Sequence, residues 1–432
     1  MSVIATFGLD RRDVRAWITY DWANSAFWST VVTAVFPEFF SSVAASNLSP
    51  EQATVRFGAI TVIALTVVAI VAPVLGAIAD YAGIKKKMLA VFLALGVSAT
   101  AGMALIGEGD LTLASVLFIL GNIGVAGTIV FYDSLLPYVA RHDEIDRVST
   151  AGFAVGFLGG GLLLALNLAW IVRPEWFGLP DAVAGIHLSF LSVAVWWLVF
   201  SIPLFRHVRE PARSLRAGER GDDNPVLAGF RRLKGTFHEL RKYRNAFLML
   251  LAFMLYNDGI QTIIRMATPF GAEIGIGRGT LITAILLVQF VGVPCTFLFG
   301  LLADRLGTRR SIYLALVVYT GICVMAYRMS TALEFFILAV GVAMVQGGSQ
   351  GLSRSLFASL IPRDESSQYF GFFSVFEKFA GIFGPAIFTL VASLTGSGRG
   401  AILAVIGFFA AGGFLLSRVD IEEGQRQARN PG

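Results

Sequence analysis

The chain has 432 residues, of which 56% are hydrophobic and 15% are charged, and its mean hydropathy is +0.71. Soluble domains carry about 25% charged residues, so this composition excludes a soluble protein and indicates one that lies in a membrane along its length. The net charge of +5 comes largely from basic residues between the apolar runs, and it therefore does not indicate a nucleic-acid partner.

Twelve apolar runs are long enough to cross a bilayer as helices. We call them spans 1 to 12, and they cover residues 16–43, 56–79, 88–107, 111–136, 149–172, 183–205, 246–272, 280–303, 311–328, 332–357, 368–394 and 399–417. The first run lacks a signal-peptide cleavage site, so we expect it to be retained as a helix.

Span 1 carries polar side chains at helical spacing. Asp21, Asn24 and Trp28 recur every three or four residues and so share one face of a helix. A charge inside a bilayer costs a few kcal/mol on insertion scales. We therefore expect this face to contribute to substrate binding, to proton coupling or to a gate; for Asp21 a structural role stays open.

The loops after span 2 and span 8 repeat one pattern 224 residues apart. They read Gly76-Ala-Ile-Ala-Asp80-Tyr-Ala-Gly83-Ile-Lys-Lys-Lys and Gly300-Leu-Leu-Ala-Asp304-Arg305-Leu-Gly307-Thr-Arg309-Arg310-Ser. The glycines permit a tight turn and close helix approach, and the aspartate can cap a neighbouring helix. We expect these residues, together with Asp133 and Lys378, to form a cytoplasmic gate; a plain basic loop is the alternative.

Every third span carries internal polar residues. They are Asn122 and Asp133 in span 4, Asn257, Asp258 and Gln261 in span 7, and Gln346, Gln350 and Arg354 in span 10. We expect spans 1, 4, 7 and 10 to line a shared central cavity, with Asp258 near the middle of the bilayer and Asp133 nearer the gate. Spans 2, 3, 9 and 12 have no internal charge and are expected to pack or to face lipid.

Span 11 contains two adjacent charged residues, Glu377 and Lys378. Neighbours on a helix point about 100° apart, so we expect each to have a different partner. For Glu377 the alternatives are coupling or substrate binding and an interhelical salt bridge. For Lys378 we expect a structural partner or a gate contact.

The longest polar interruption, residues 206–245, divides the chain into an N-terminal six-helix bundle (1–205) and a C-terminal six-helix bundle with a short tail (246–432). Asn224-Pro225 is typical of a helix start. The apolar residues that follow at spacings of three and four are Val226, Phe230, Leu233, Phe237 and Leu240. This pattern predicts an amphipathic helix on the cytoplasmic leaflet, with its apolar face in lipid or against the bundle and its cations towards anionic headgroups.

With the N-terminus inside, 27 of the 34 Lys and Arg residues lie on one face. This asymmetry predicts an integral protein of the cytoplasmic (inner) membrane with both termini in the cytoplasm. The two cysteines and four histidines have no metal-ligand spacing, so we expect no metal and no cofactor.

The doubled loop resembles the signature of the major facilitator superfamily, which places it between the second and third helices and again between the eighth and ninth. The resemblance implies two pseudo-symmetric six-helix bundles, all-α, with twelve transmembrane helices. The first copy has Tyr81 where the family usually has arginine, and Ile84 breaks the usual Gly-Arg step. We therefore expect the gate contacts of the first copy to be the weaker ones.

A narrower resemblance rests on three further motifs, Tyr20-Asp-Trp-Ala-Asn-Ser-Ala-Phe27, Tyr256-Asn-Asp-Gly259 and Gln346-Gly-Gly-Ser-Gln350 with Ser353-Arg-Ser355. Together these are similar to the subfamily that includes the fungal vacuolar amino-acid effluxer linked to autophagy. The resemblance implies a permease of that lineage.

The expected function is secondary-active transport of a small polar solute, such as an amino acid, by alternating access, with a proton as a candidate coupling ion and the protein acting as a monomer. A sugar, nucleoside or drug permease of the same fold is an alternative, and so is a non-transporting receptor or a lipid scramblase. The chain contains no phosphate-binding Gly-x-x-x-x-Gly-Lys-Ser/Thr motif and no Ser/His/Asp set, so we do not expect an enzyme.

Overall fold

The computed structural model describes residues 7–213, 215, 219, 224–239, 243–380, 383–395 and 398–429. The secondary structure of this part of the chain is helical, which confirms the predicted fold class. The helices of spans 1 to 6 are Arg12–Ala26, Phe27–Val35, Phe36–Phe39 and Phe40–Ala44 in span 1, Pro50–Ala82 in span 2, Lys85–Gly102 and Met103–Leu105 in span 3, Leu111–Ser134 and Leu136–Val139 in span 4, Ile145–Val172 in span 5 and Ala182–His207 in span 6.

The second six spans follow a linker helix, Pro225–Glu239. Their helices are Arg244–Glu273 in span 7, Arg278–Leu306 in span 8, Thr308–Arg328 in span 9, Ala332–Ser359 in span 10, Ser366–Phe379 and Phe383–Thr395 in span 11, and Gly398–Ala404 and Ile406–Ser417 in span 12. A tail helix, Ile421–Arg429, comes last. We refer to spans 1 to 6 and spans 7 to 12 as the two halves.

Eleven helical segments among the described residues are long and apolar enough to cross a membrane. Span 11 is the predicted span that is not one of them, because it consists of two helices of 14 and 13 residues. Each is shorter than the roughly 20 residues that a bilayer requires, and together they cover the predicted run. The protein is an integral membrane protein whose helices are consistent with twelve spans.

Span 1 is not a regular α-helix. It widens to a π-helix over Phe27–Val35, and the Thr33 hydroxyl donates to the Trp28 carbonyl five residues earlier at 2.9 Å. Trp28 lies within this π-helical segment, beyond the α-helical turns that carry Asp21 and Asn24. π-Helical turns are rare and occur frequently at functional sites.

The two repeated loops form turns that need glycine. Span 2 ends at Gly83 with φ at 66°, and span 8 ends at Gly307 with φ at 87°. Positive φ is the region in which a Cβ is disfavoured, so glycine ends each helix and reverses the chain. We call the side of the molecule that carries these two turns the gate side.

The halves pack against each other through span 2 with span 11 and through span 5 with spans 8 and 10. Small residues allow this close approach. A Cβ on Gly371 would lie 2.7 Å from Pro73 Cα, and a Cβ on Gly351 would lie 3.1 Å from Thr150 Cα. The polar contacts between the halves that follow lie towards the gate side of these helices.

The linker helix lies against span 2 with the face that contains Ala228 and Arg232, both of which are buried. The side chain of Asn224 accepts from the amide of Val226 at 2.9 Å, which caps the helix as predicted. The expectation that the cations point towards headgroups is wrong for Arg232, because this guanidinium pairs with Glu219 inside the protein. Leu240, which the sequence assigns to the apolar face, lies outside the described residues.

Candidate functional site

A buried cluster of polar side chains joins the two halves around Arg354 of span 10. Its Nη1 donates to Asp133 Oδ1 at 3.0 Å and to Asp21 Oδ2 at 3.3 Å, and its Nη2 also donates to Asp21 Oδ2 at 3.3 Å. The remaining bonds go to Ser149, from Nε to the hydroxyl at 2.9 Å and from Nη2 to the carbonyl at 2.8 Å. The Tyr132 hydroxyl donates to Asp21 Oδ2 at 2.7 Å. We call these five residues the Arg354 cluster.

Aromatic rings enclose the guanidinium of Arg354. Its Cζ lies 4.4 Å from the ring centroid of Phe153, 4.9 Å from Trp17 and 5.5 Å from Tyr132. Every partner named so far belongs to the N-terminal half, so one cation of the C-terminal half occupies a pocket built entirely by the other half. A buried ion pair persists only when its charges are paired and hydrogen-bonded, and this geometry meets that condition.

Asp80, the aspartate of the first loop, binds the start of span 11 in the opposite half. It accepts from the amides of Ser367 at 3.2 Å and Gln368 at 2.8 Å, and it pairs with Lys85. Lys85 also donates to the Ser366 hydroxyl at 2.9 Å. Asp80 therefore caps a helix N-terminus, where unpaired amides and the helix dipole favour an anion.

Asp304, the aspartate of the second loop, contacts the first turn of span 5, the helix that corresponds to span 11, through a side chain rather than through backbone amides. It accepts from Arg147 at 2.6 Å. The expectation that the first copy has the weaker contacts is wrong: the Asp80 and Lys85 side chains are 0% and 3% exposed, whereas those of Asp304 and Arg147 are 34% and 21% exposed. Ion pairs exposed to water contribute little.

The cations of the second loop have separate placements. Arg309 donates to the carbonyl of Val419 at 3.2 Å, within its own half. Arg305 and Arg310 are exposed. The neighbouring Thr308 donates to Asp146 at 2.5 Å, and Asp146 also accepts from Ser355. The first glycine of each loop lies against the other half, since a Cβ on Gly300 would contact Thr150 and one on Gly76 would contact Ser367.

Tyr81, which stands where the superfamily usually has arginine, is one attachment point of the linker. Its ring is fully buried. The guanidinium carbons of Arg213 and Arg232 lie 4.5 and 5.4 Å from the ring centroid, and Arg213 Nε donates to the Tyr81 carbonyl at 2.7 Å. Arg232 Nε and Nη2 bind both carboxylate oxygens of Glu219, at 2.7 and 2.5 Å. The linker thus supplies the cations that the loop itself lacks at this point.

We expect Tyr81→Ala to loosen the linker and Tyr81→Phe to keep it in place, because the phenyl ring retains both cation–π contacts. Such contacts are worth about 0.5–2 kcal/mol each. The measurement is the rate of tryptic cleavage within residues 206–245 of the purified protein, followed by mass spectrometry. Equal rates for Tyr81→Ala and the wild-type protein would contradict the attachment.

Glu377 and Lys378 form an ion pair with each other, with Lys378 Nζ 3.0 Å from Glu377 Oε2. The expectation of different partners is wrong because the four-carbon stem of lysine can span the 100° between adjacent positions. Lys378 Nζ also lies 4.9 Å from the ring centroid of Trp28 in the other half. At 1.5 Å per residue Lys378 is about 18 Å from the gate end of span 11, so it does not belong to the loops of the gate side.

A cavity of about 220 Å³ lies further from the gate side. It is bounded by spans 7 to 12 and by Ser29 and Thr33 of span 1. The remaining polar lining residues are Thr262, Thr268, Gln289 and Gln346, with the thiol of Cys323. No charged side chain of the described residues lines it. Gln346 and Ser29 are each eight positions from Arg354 and Asp21, or about 12 Å along a helix.

The expectation that spans 1, 4, 7 and 10 line one cavity is therefore only partly met. Span 4 contributes nothing to the described lining, while spans 9 and 12, expected to pack or face lipid, contribute Cys323, Ile402 and Val405. The physical reason is that the polar groups of span 4 already have partners: Asn122 donates to the Phe118 carbonyl at 2.8 Å, and Asp133 pairs with Arg354.

Among the expected site residues, Gln346 is the one that lines this cavity. Asp258 instead accepts from the Gly384 amide at 2.9 Å, which satisfies a donor in the first turn of Phe383–Thr395. Asn24 donates to the Tyr20 carbonyl at 3.0 Å. The buried side chain of Asn257 has no hydrogen-bond partner among the described residues. Gln261 and Gln350 are half-buried.

Sequence reasoning missed the residues that complete the gate side, namely Tyr132, Ser149, Arg147, Asp146, Ser366, Ser367 and Gln368. One signal was present, because Ser134 belongs to a repeated Ser-Leu-x-Pro segment, and its carbonyl accepts from Ser366 at 2.8 Å. Serine and tyrosine are common within membrane helices, so the residue type alone does not identify these positions as part of the gate.

Comparison with known proteins places the chain in a family. The sequence profile of the family described as "Vacuole effluxer Atg22 like" matches residues 57–429. The chain is 39% identical over 409 residues to the MFS-type transporter YxiO of Bacillus subtilis (strain 168), an alignment that covers 94% of each protein. It is 28% identical over 313 residues to autophagy-related protein 22 of Yarrowia lipolytica, covering 65% of this chain and 51% of that protein.

The fold is shared with solved transporters. The human organic anion transporter MFSD10 superposes with a TM-score of 0.70 at 15% identity, over 94% of this chain and 99% of that one. The twelve helices, the doubled loop and the sequence relatives agree: the chain is a membrane transporter of the major facilitator superfamily and belongs to the Atg22-like family.

Proposed function

We propose that the protein is a secondary-active transporter that moves a small solute by alternating access, with neutral amino acids as the first candidates. One observation carries the proposal: the halves are tied together on the gate side, while the cavity lies on the other side of that closure. Transport by rocking halves requires a binding space next to an interface that can open and close.

The chemistry of the lining bears on the substrate. An uncharged, mostly apolar cavity suits the side chain of an apolar amino acid, because a charge would have no partner there. The ammonium and carboxylate of such a solute could exchange with the Glu377–Lys378 pair, whose lysine contacts Trp28, the neighbour of the lining residue Ser29. The same lining also favours a second candidate class, uncharged amphipathic solutes such as drugs, ahead of sugars.

The Arg354 cluster is a candidate for proton coupling. It contains two carboxylates, Asp21 and Asp133, but one guanidinium. The excess negative charge is buried, so uptake of a proton by either carboxylate would weaken its hold on Arg354 and favour opening of the gate side. We propose that the gate side faces the cytoplasm of a cell whose inner membrane holds the protein, with both termini inside and the protein acting as a monomer.

Counterflow in proteoliposomes tests the proposal. Vesicles loaded with an unlabelled solute should accumulate the same solute in labelled form if the protein exchanges it, and a panel should include apolar, polar and charged amino acids, a nucleoside, sugars and an uncharged amphipathic drug. We expect exchange of an apolar amino acid. Exchange of the amphipathic drug alone would favour the drug permease, and no exchange of any solute would favour a receptor or scramblase.

We expect Gln346→Leu to weaken the thermal stabilisation by the exchanged solute at least several-fold, because the amide is a polar group of the lining. A lost neutral hydrogen bond is worth about 0.5–1.5 kcal/mol. Gln350→Leu, one turn nearer the gate side and not part of the lining, is the matched control. The measurement is the ratio of the apparent dissociation constants of the two variants from thermal-shift titrations. Equal dissociation constants would show that the solute does not bind in this cavity.

A further inference from the structure

We propose that the outer face of the linker helix Pro225–Glu239 binds the bilayer surface on the gate side, with a preference for anionic lipids. This surface is separate from the cavity and does not depend on which solute is carried. The inner face of the helix packs against span 2, whereas its outer face is exposed. Span 2 itself carries exposed apolar side chains further from the gate side.

The inner face is fixed to the protein. Ala228 and Arg232 are 3% and 2% exposed. A Cβ on Gly229 would lie 3.2 Å from the backbone of Ile78, in the last turns of span 2. Since Arg232 is also held by Glu219 and lies over the ring of Tyr81, this face of the helix is occupied and cannot serve as a docking surface.

The outer face is apolar and uncovered. Val226, Leu227 and Phe230 are 51%, 59% and 52% exposed. At 100° per residue these three side chains fall within one arc of about 100°, and the buried residues of the helix fall on the opposite arc. Arg231 is exposed and lies beside the apolar arc. An apolar stripe with a cation at its margin is typical of a helix that lies in a membrane interface.

The position of the helix identifies the bilayer as the occupant. Ile78 lies about one turn from the gate-side end of span 2, which the structure places at Ala82. The same span presents apolar side chains to the outside, with Ile63 and Ile70 50% and 67% exposed. The outer face of the linker helix therefore lies where a lipid-facing helix leaves the hydrocarbon, which is the depth of the headgroups and upper acyl chains.

The net positive charge of the linker indicates that the helix prefers anionic lipids. Residues 206–244 contain eleven Lys and Arg against five Asp and Glu. A basic segment next to a membrane surface gains about 1 kcal/mol per cation near anionic lipids. Insertion of the three apolar side chains and attraction of the cations to anionic headgroups then act together, and the attachment at Tyr81 means that the helix need not fold upon binding.

Fluorescence quenching in nanodiscs tests the proposal on the full-length protein. In a Cys295→Ala/Cys323→Ala background, single cysteines replace Val226 or Phe230 and carry an environment-sensitive fluorophore. Arg305→Cys is the control, because Arg305 is exposed on the gate side in the second loop. Lipids with a nitroxide near the headgroup should quench the labels at 226 and 230 at least twofold more than the label at 305, and more strongly in phosphatidylglycerol than in phosphatidylcholine.

Quenching at 226 and 230 no greater than at 305 would overturn the proposal, and the face would then be assigned to a soluble partner. Equal quenching in both lipids would overturn the anionic preference. A second measurement guards against misfolding: because Phe230 is exposed, Phe230→Ser should leave the thermal unfolding temperature in phosphatidylcholine unchanged and remove the stabilisation that phosphatidylglycerol gives the unsubstituted protein.

Discussion

Arg354→Gln is expected to lower the free energy of unfolding by about 3–5 kcal/mol, because it leaves the buried carboxylates of Asp21 and Asp133 without their cation. It should also open the gate side, since Arg354 is a buried cation that the C-terminal half inserts into the N-terminal half. Both effects have one cause, the loss of a guanidinium whose five hydrogen bonds to described residues all cross between the halves.

A disulfide reports the state of the gate side. The hydroxyl oxygens of Ser134 and Ser367, in opposite halves, are 3.0 Å apart, so cysteines at these positions should be within reach of a disulfide. In a background without Cys295 and Cys323, the Ser134→Cys/Ser367→Cys pair should cross-link rapidly when Arg354 is present and several-fold more slowly in Arg354→Gln.

Two further variants separate charge from size. Arg305→Gln makes the same change at an exposed site and should affect neither the unfolding free energy nor the cross-linking rate. Removing all three charges with Asp21→Asn/Asp133→Asn/Arg354→Gln should recover most of the lost stability, because no unpaired buried charge remains. If Arg354→Gln alone unfolds and cross-links like the wild-type protein, the Arg354 cluster does not hold the gate closed.

Gly76→Ala is the second substitution with a large expected effect. A Cβ at this position would overlap the carbonyl oxygen of Ser367 and lie 2.7 Å from its carbonyl carbon and 2.9 Å from Gln368 Cα. These are backbone atoms at the start of a helix, so no side chain can rotate out of the way. We expect spans 2 and 11 to separate, at a cost of about 1–3 kcal/mol, and the amides that Asp80 caps to move out of its reach.

Gly58→Ala in the same span is the matched control, because nothing lies within 4 Å of a Cβ at Gly58. Both substitutions gain the helix propensity of alanine, about 1 kcal/mol, so the difference between them isolates the contact with span 11. The unfolding free energy and the Ser134–Ser367 cross-linking rate should fall in Gly76→Ala and stay unchanged or rise in Gly58→Ala. Indistinguishable variants would contradict the role of Gly76 in the gate.

The sequence predicted which polar side chains lie at functional positions, but it did not predict which residues they contact. Asp21, Asp133 and Arg354 were all expected at functional positions, and the structure brings them into one cluster. That cluster lies about 12 Å along the helices from the cavity rather than in it, and no charged side chain of the described residues lines the cavity. Spacing along a helix gives the face that a residue occupies, but not which neighbouring helix that face meets.

Two local features did not follow from counting positions. Glu377 and Lys378 pair with each other because a long, flexible side chain is not confined to the direction of its Cβ. Span 1 changes its helical period after Ala26. Neither the side-chain rotamer nor a π-helical turn follows from a count of positions at 3.6 residues per turn.

The sequence alone predicted twelve helical spans and a doubled loop, and the resemblance of that loop to the major facilitator superfamily implied a transporter. It also marked the functional positions, because a polar group in a bilayer is costly. The tertiary structure alone decided which groups meet. Arg354 and Asp21 are 333 positions apart, and a contact of that kind depends on how the helices of two halves rotate and approach. It also decided that the imperfect first copy of the loop makes the more buried contacts, because Asp80 and Lys85 are enclosed against the start of span 11.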